Sequence, residues 1–153
     1  MIKTKKDYIM SLKEQKHIVY YKGKRVEDIT QHPAFIPHIN AAAKTYELAL
    51  QPEHEDLMIA RSHLTGEKIN RFTYIHQSRD DLVKKVQMMR LLSHETGSCF
   101  QRCVGFDGLN SLYSTTFEID EKYGTQYHQR LTDYQEFRKS IFFLCEPSMD
   151  SIG

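Results

Sequence analysis

Apolar and polar positions alternate along this chain with two different periods, and the changes of period divide it into elements. Tyr8, Ile9 and Leu12 recur at helical spacing behind Thr4 and Asp7, which are placed as a capping box, so a first helix is expected over residues 5–14. From His17 to Tyr21 the residues favour a strand, and Lys22 with Gly23 turns the chain into a second short strand over 24–26. Pro33 and Pro37 suit the opening turns of helices or a loop between them, and the alanines at 41–43 with Tyr46 and Leu48 predict a second helix over 39–50, ended by Pro52. Residues 57–61 and 67–74 read as extended around a Thr65–Gly66 turn, a second hairpin. Ser78 and Asp81 form another capping box, and Leu82, Val86, Met89 and Leu92 define an expected buried stripe on the helix that follows. A longer helix is expected over 97–122 with Gly124 as its C-cap, and a last one over 126–140. The resulting fold class is mainly α with one or two small β hairpins.

Totals narrow the class without naming a chemistry. The chain has 153 residues and 40% hydrophobic content, enough for one ordinary domain with a core. Lys and Arg number 21 against 20 Asp and Glu, so no basic excess points to nucleic acid and no charged block reads as a tail. No apolar run approaches the ~20 residues that span a bilayer, and no apolar stretch behind Met1 reads as a signal peptide. Three cysteines, Cys99, Cys103 and Cys145, do not make a secreted disulfide framework, so reduced thiols in the cytoplasm are the expectation.

The stretch from Gly97 to Gly105 carries the most chemistry. Cys99 and Cys103 stand four apart. On a continuous helix they would share one face with Cβ atoms roughly 5–6 Å apart. Thiolates so placed can bind neighbouring irons of one cluster. Phe106, Asn110, Tyr113 and Phe117 would continue that face as a shielding wall. A lone pair at this spacing is more often two small hydrophobes in a core, so spacing leaves both readings open. Gly97, Gly105 and Gly108 suggest a close approach to the backbone, by another helix or by a cofactor.

Other constellations are weaker. The eight histidines include no pair spaced for a helical metal site, and most read as surface or loop residues. No nucleophile elbow and no glycine-rich phosphate loop is present. Glu118, Asp120 and Glu121 read as a solvated helix end, and Tyr20 with Tyr21 as hairpin packing.

Local sequence goes further than spacing. The segments Asp7–Leu12, His32–Pro33, Thr45–Leu48, Glu55–Met58, Ile69–Phe72, His76–Ser78 and Asp80–Leu82 resemble the start of the 4-hydroxyphenylacetate 3-hydroxylase superfamily. The run Ser98–Gly105, with Ser114–Thr116, Glu118–Asp120 and Lys122–Thr125, resembles its 4-hydroxybutyryl-CoA dehydratase branch in particular, because the hydroxylase branch lacks the cysteine run. The resemblance covers residues 1–138.

That resemblance implies an acyl-CoA dehydrogenase-like N-terminal helical domain over 1–139. It also implies FAD and a [4Fe–4S] cluster, an acyl-CoA substrate and a homotetramer. By motif, Cys99 and Cys103 are then two cluster ligands, and Gln101 is a residue near the active site. The family's remaining His and Cys ligands and most flavin contacts lie past the end of this sequence. Residues 140–153 match nothing in the family, and Cys145 matches no ligand there, which suggests a frameshift or truncation and a chain inactive by itself. The implied activity is conversion of 4-hydroxybutyryl-CoA to crotonyl-CoA and isomerisation of vinylacetyl-CoA. Two other readings stand beside it: a flavin-dependent aromatic hydroxylase component, and a non-catalytic fragment.

Overall fold

In the computed structural model, residues 3–15, 18–97, 99–100 and 102–137 are described. Helix α1 (Lys5–Glu14) opens on the Thr4 box: Thr4 Oγ1 accepts from the Asp7 amide and Asp7 accepts from the Thr4 amide. Strands β1 (Val19–Tyr21) and β2 (Lys24–Val26) pair antiparallel. Lys22 and Gly23 both take positive φ (50° and 76°), as a two-residue hairpin turn demands. Helix α2 (Ile36–Leu48) begins a turn earlier than the apolar pattern predicts, because Pro37 fits a first helical turn, where no amide partner is needed. The short α3 (Glu55–Met58) takes in Leu57 and Met58, the first two residues of the stretch expected to be extended. Strands β3 (Ile59–Arg61) and β4 (Lys68–Asn70) follow as the second antiparallel hairpin, and a 3-10 turn over Arg71–Thr73 replaces the expected end of β4. Helix α4 (Arg79–Thr96) starts on the Ser78–Asp81 box and stops at Gly97, whose φ of 62° is the left-handed cap. Helix α5 (Cys103–Tyr123) turns at Gly124 into α6 (Tyr127–Phe137), which packs back along it. The last residues of the expected final helix, and all of 140–153, lie outside the described residues.

The core lies where α2, α3, the 3-10 turn, α4 and the start of α5 converge. Leu48, Met58, Phe72, Met88, Leu92, Phe100 and Phe106 are buried together there. Phe72 sits at the centre, its ring 5.7 Å from Phe100 and 5.9 Å from Phe106. Half of the expected buried stripe of α4 holds: Leu92 is enclosed and Met89 packs partly buried against the core, whereas Leu82 and Val86 are each 49% exposed and Met88 is enclosed in their place. In this rotation of the helix Asp81 faces Arg71 and Lys85 pairs with Asp107, while Met88 and Leu92 carry the burial.

Arg71, 3% exposed, performs the task that an apolar residue could not. Its Nε donates to the Leu57 carbonyl (2.7 Å), and its Nη2 to the carbonyls of Asp56 and Ile59 (both 2.9 Å). These are orphan acceptors at the end of α3, which the guanidinium satisfies inside the core. Asp120, read from sequence as solvated, also has a structural role. It accepts from the amides of Tyr127 (2.9 Å) and His128 (2.7 Å) and from the Thr125 hydroxyl, and so joins α5 to the start of α6.

Candidate functional site

Cys99 and Cys103 come together, but not on one helix. Cys99 lies in the non-helical segment after α4 and is exposed; Cys103 is the first residue of α5 and is half-buried against the core. The expected helix over 97–122 is overturned at its start. Gly97 ends α4 in the left-handed region, and α5 begins only at Cys103. The two thiols nonetheless stay within hydrogen-bonding reach. Burial, and then Cys99 beside it, push the Cys103 thiol above its ordinary pKa. Gln101 lies outside the described residues.

The wall expected from α5 is only partly present. Phe106 is fully buried and Asn110 half-buried, whereas Phe117 is 56% exposed and leans on His128 rather than toward the cysteines. Asn110 is a bracket: its Oδ1 accepts from the His76 amide (2.9 Å), and its Nδ2 donates to the Tyr74 carbonyl (3.2 Å). Two of the three glycines also depart from expectation. A methyl at Gly97 or Gly108 would meet nothing within 4 Å, so neither marks a close approach within this chain.

Sequence reasoning missed two residues here. His76 is not a surface histidine: its Nε2 is buried without a partner and its ring meets Phe106 at 4.9 Å. Burial, then Lys85, holds its pKa below the ordinary value. Arg102, between the cysteines in sequence, is 9% exposed. Its guanidinium lies over the rings of Tyr46 (4.5 Å) and Phe72 (4.4 Å), and Nη1 donates to Thr45 Oγ1 at 2.9 Å. A basic residue beside a hydrophobic run is the only sequence signal for it, and that signal also fits a surface arginine.

The donor set fits part of a metal centre. Two sulfurs side by side, one facing outward and one seated on an aromatic core, can supply two thiolate ligands to an iron–sulfur cluster. Among the described residues no group of three or more His, Cys, Asp or Glu is placed to hold a metal ion. The fit is therefore to half of a four-ligand set.

The sequence profile described as "4-hydroxyphenylacetate 3-hydroxylase N terminal" matches residues 4–147. The chain belongs to this family. It is 51% identical over 137 residues to the 4-hydroxybutyryl-CoA dehydratase/vinylacetyl-CoA-Δ-isomerase of Clostridium aminobutyricum, covering 90% of this chain and 28% of that protein. It is 37% identical over 84 residues to the oxygenase component of 4-hydroxyphenylacetate 3-monooxygenase from a Geobacillus species, covering 54% of this chain and 16% of that one. Among solved structures, an oxygen-tolerant archaeal 4-hydroxybutyryl-CoA dehydratase from N. maritimus superposes with a TM-score of 0.86 at 48% identity, over 92% of this chain and 28% of its own. The oxygenase component of 4-hydroxyphenylacetate 3-monooxygenase superposes at 0.70 with 19% identity, over 89% of this chain and 28% of its own, which speaks to fold alone. A structure of that oxygenase has been solved with FAD and 4-hydroxyphenylacetate. The fold is thus the mainly α, acyl-CoA dehydrogenase-like helical domain that the sequence predicts, and the chain spans 28% of the length of its dehydratase relatives. Among the described residues no helix is long and apolar enough to cross a membrane.

Proposed function

We propose that this chain supplies two thiolates to the iron–sulfur cluster of an FAD- and [4Fe–4S]-dependent dehydratase/isomerase. The enzyme would convert 4-hydroxybutyryl-CoA to crotonyl-CoA and isomerise vinylacetyl-CoA in the cytoplasm, as a homotetramer. The observation that carries the reading is 51% identity over 90% of the chain to a protein of that name. The adjacent thiols of Cys99 and Cys103 support it. The aromatic hydroxylase reading rests on lower identity, 37% over 54% of the chain and 32% over 74% of it, and does not account for the cysteine pair.

Cys99 and Cys103 would hold the cluster at the surface of this domain, and Gln101 would lie near the reacting group. When bound, cluster and flavin supply a Lewis-acid site for the leaving hydroxyl and one-electron chemistry. This chain's own part is positional. Cys103, fixed at the first turn of α5, is held against the core, and Cys99 faces outward. Phe100, Phe72 and Phe106 exclude water from the inner side. No residue of this chain is assigned to the flavin.

A chimera tests the proposal. Residues 1–138 replace the corresponding region of the Clostridium aminobutyricum relative, and the product is assayed anaerobically for vinylacetyl-CoA isomerisation and for bound iron. We expect activity with iron present, and loss of both on Cys99→Ser or Cys103→Ser. A folded chimera that binds iron equally with and without the two cysteines overturns the assignment.

A further inference from the structure

Two thiols that do not share a helix need something else to hold them side by side. We propose that Arg102 is the positioning residue of the pair: its guanidinium, laid over Tyr46 and Phe72 and bonded to Thr45, pins the segment carrying Cys99 and Cys103 to the core. The inference rests on the proposed metal reading for its purpose only; the clamp is testable with no iron present.

Arg102 is 9% exposed as a residue, and a charged side chain so buried persists only where the geometry compensates it. Here the guanidinium lies over two rings at once, Tyr46 at 4.5 Å and Phe72 at 4.4 Å. Its edge donates from Nη1 to Thr45 Oγ1, whose own proton goes to the Ala42 carbonyl at 2.7 Å. That second bond fixes the Thr45 oxygen as an acceptor for the arginine. Phe100 is 3% exposed and also packs on Phe72. Phe100 and Arg102 therefore converge on one ring while Cys99, next to Phe100, stays exposed. The Arg102 carbonyl accepts from the Phe106 amide (3.3 Å), so the same residue begins α5 and sets the position of Cys103. Lysine is not equivalent, since an ammonium is a point charge with no planar face to stack on a ring while its edge donates to Thr45.

The experiment uses the full 153-residue chain with Cys145→Ser, reduced, and phenylarsine oxide as the probe. This trivalent arsenical chelates two thiols tightly when their sulfurs are close together. We expect one tightly bound arsenical per chain, lost with Cys99→Ser. Arg102→Met and Arg102→Lys should each weaken binding about tenfold, and Thr45→Val about two- to threefold, at temperatures where circular dichroism shows the fold retained. Wild-type affinity in a folded Arg102→Met chain overturns the clamp, and full rescue by lysine overturns its stacked geometry in favour of charge alone. If Arg102→Met does not fold, Thr45→Val decides, and an unchanged affinity there overturns the proposal. No chelation in the parent chain overturns it too. Chelation intact, with iron and sulfide failing to assemble on the chimera described above, overturns the cofactor reading and leaves the clamp standing.

Discussion

At the scale of single residues, the polar side chains that matter most are those facing inward. Asp81 accepts from the amides of Gln77 (3.0 Å) and Ser78 (2.9 Å) and from the Ser78 hydroxyl (2.9 Å). Burial alone would raise its pKa, but these donors, with Arg71, hold it below the ordinary carboxylate range. Asp81→Ala should cost about 1–2 kcal/mol in chemical denaturation, the range for a lost N-terminal box with partly buried partners; a change within error would show the box to be dispensable. His76 yields a pH prediction of definite sign. Its folded pKa lies below the ordinary 6.5, so between those two values the unfolded chain binds more protons than the folded one. Its contribution is therefore full above 6.5 and is lost as pH falls through the folded value. His76→Phe, which keeps an aromatic ring against Phe106, should flatten the acid side of the stability profile. An unchanged slope below pH 6.5 would assign that loss to other groups.

At the scale of elements, two glycines with equally open surroundings should respond in opposite directions. Gly97 caps α4 at a φ of 62°, and Gly108 sits inside α5; neither would bring a methyl within 4 Å of anything. Gly97→Ala should destabilise by about 1 kcal/mol through left-handed strain alone, and Gly108→Ala should stabilise by about 0.5–1 kcal/mol through helix propensity. Thermal melts of the two variants check both. A loss at Gly108 would mean that something in solution packs on that face of α5. The elements were largely legible in the sequence where the signal is local. Both capping boxes, the Lys22–Gly23 turn and the Gly124 cap sit at their expected positions, because each depends on residues within one turn of the chain. Boundaries failed where side chains from elsewhere intervene. The 3-10 turn at Arg71–Thr73 places a guanidinium on the end of α3, and α5 starts late because Phe100 and Arg102 are drawn into the core.

At the scale of the molecule, one cluster of aromatic and aliphatic residues joins the second hairpin, α2, α4 and α5 through Phe72. Phe72→Ala should cost about 3–5 kcal/mol, since it leaves a cavity between Phe100 and Phe106 and removes one ring of the Arg102 clamp. Urea titration measures this, and a loss under about 1 kcal/mol would show that the core closes without the ring. The donor count supports a further expectation. Two thiolates complete only half the ligand set of a four-iron cluster, and affinity comes from all ligands pre-placed together. Anaerobic reconstitution of the 153-residue chain should therefore yield no stable brown species and no vinylacetyl-CoA isomerisation. A stable, active cluster on this chain would overturn that expectation.

What the sequence by itself determined is the mainly α class, the two hairpins, the caps and the cysteine pair as the stretch to watch, together with a family resemblance that the 51% identity bears out. Those features are written in short-range spacing. Only the tertiary structure decided which face of α4 is buried, that Cys99 and Cys103 come together across a helix start, and that Arg102 lies over two rings. Each of these depends on contacts between residues far apart in the chain: Arg102 with Thr45, Tyr46 and Phe72, and Met88 and Leu92 with the core around Leu48 and Phe72. No local periodicity encodes such pairings, because the free energy of burying a charge depends on what surrounds it after the chain has folded.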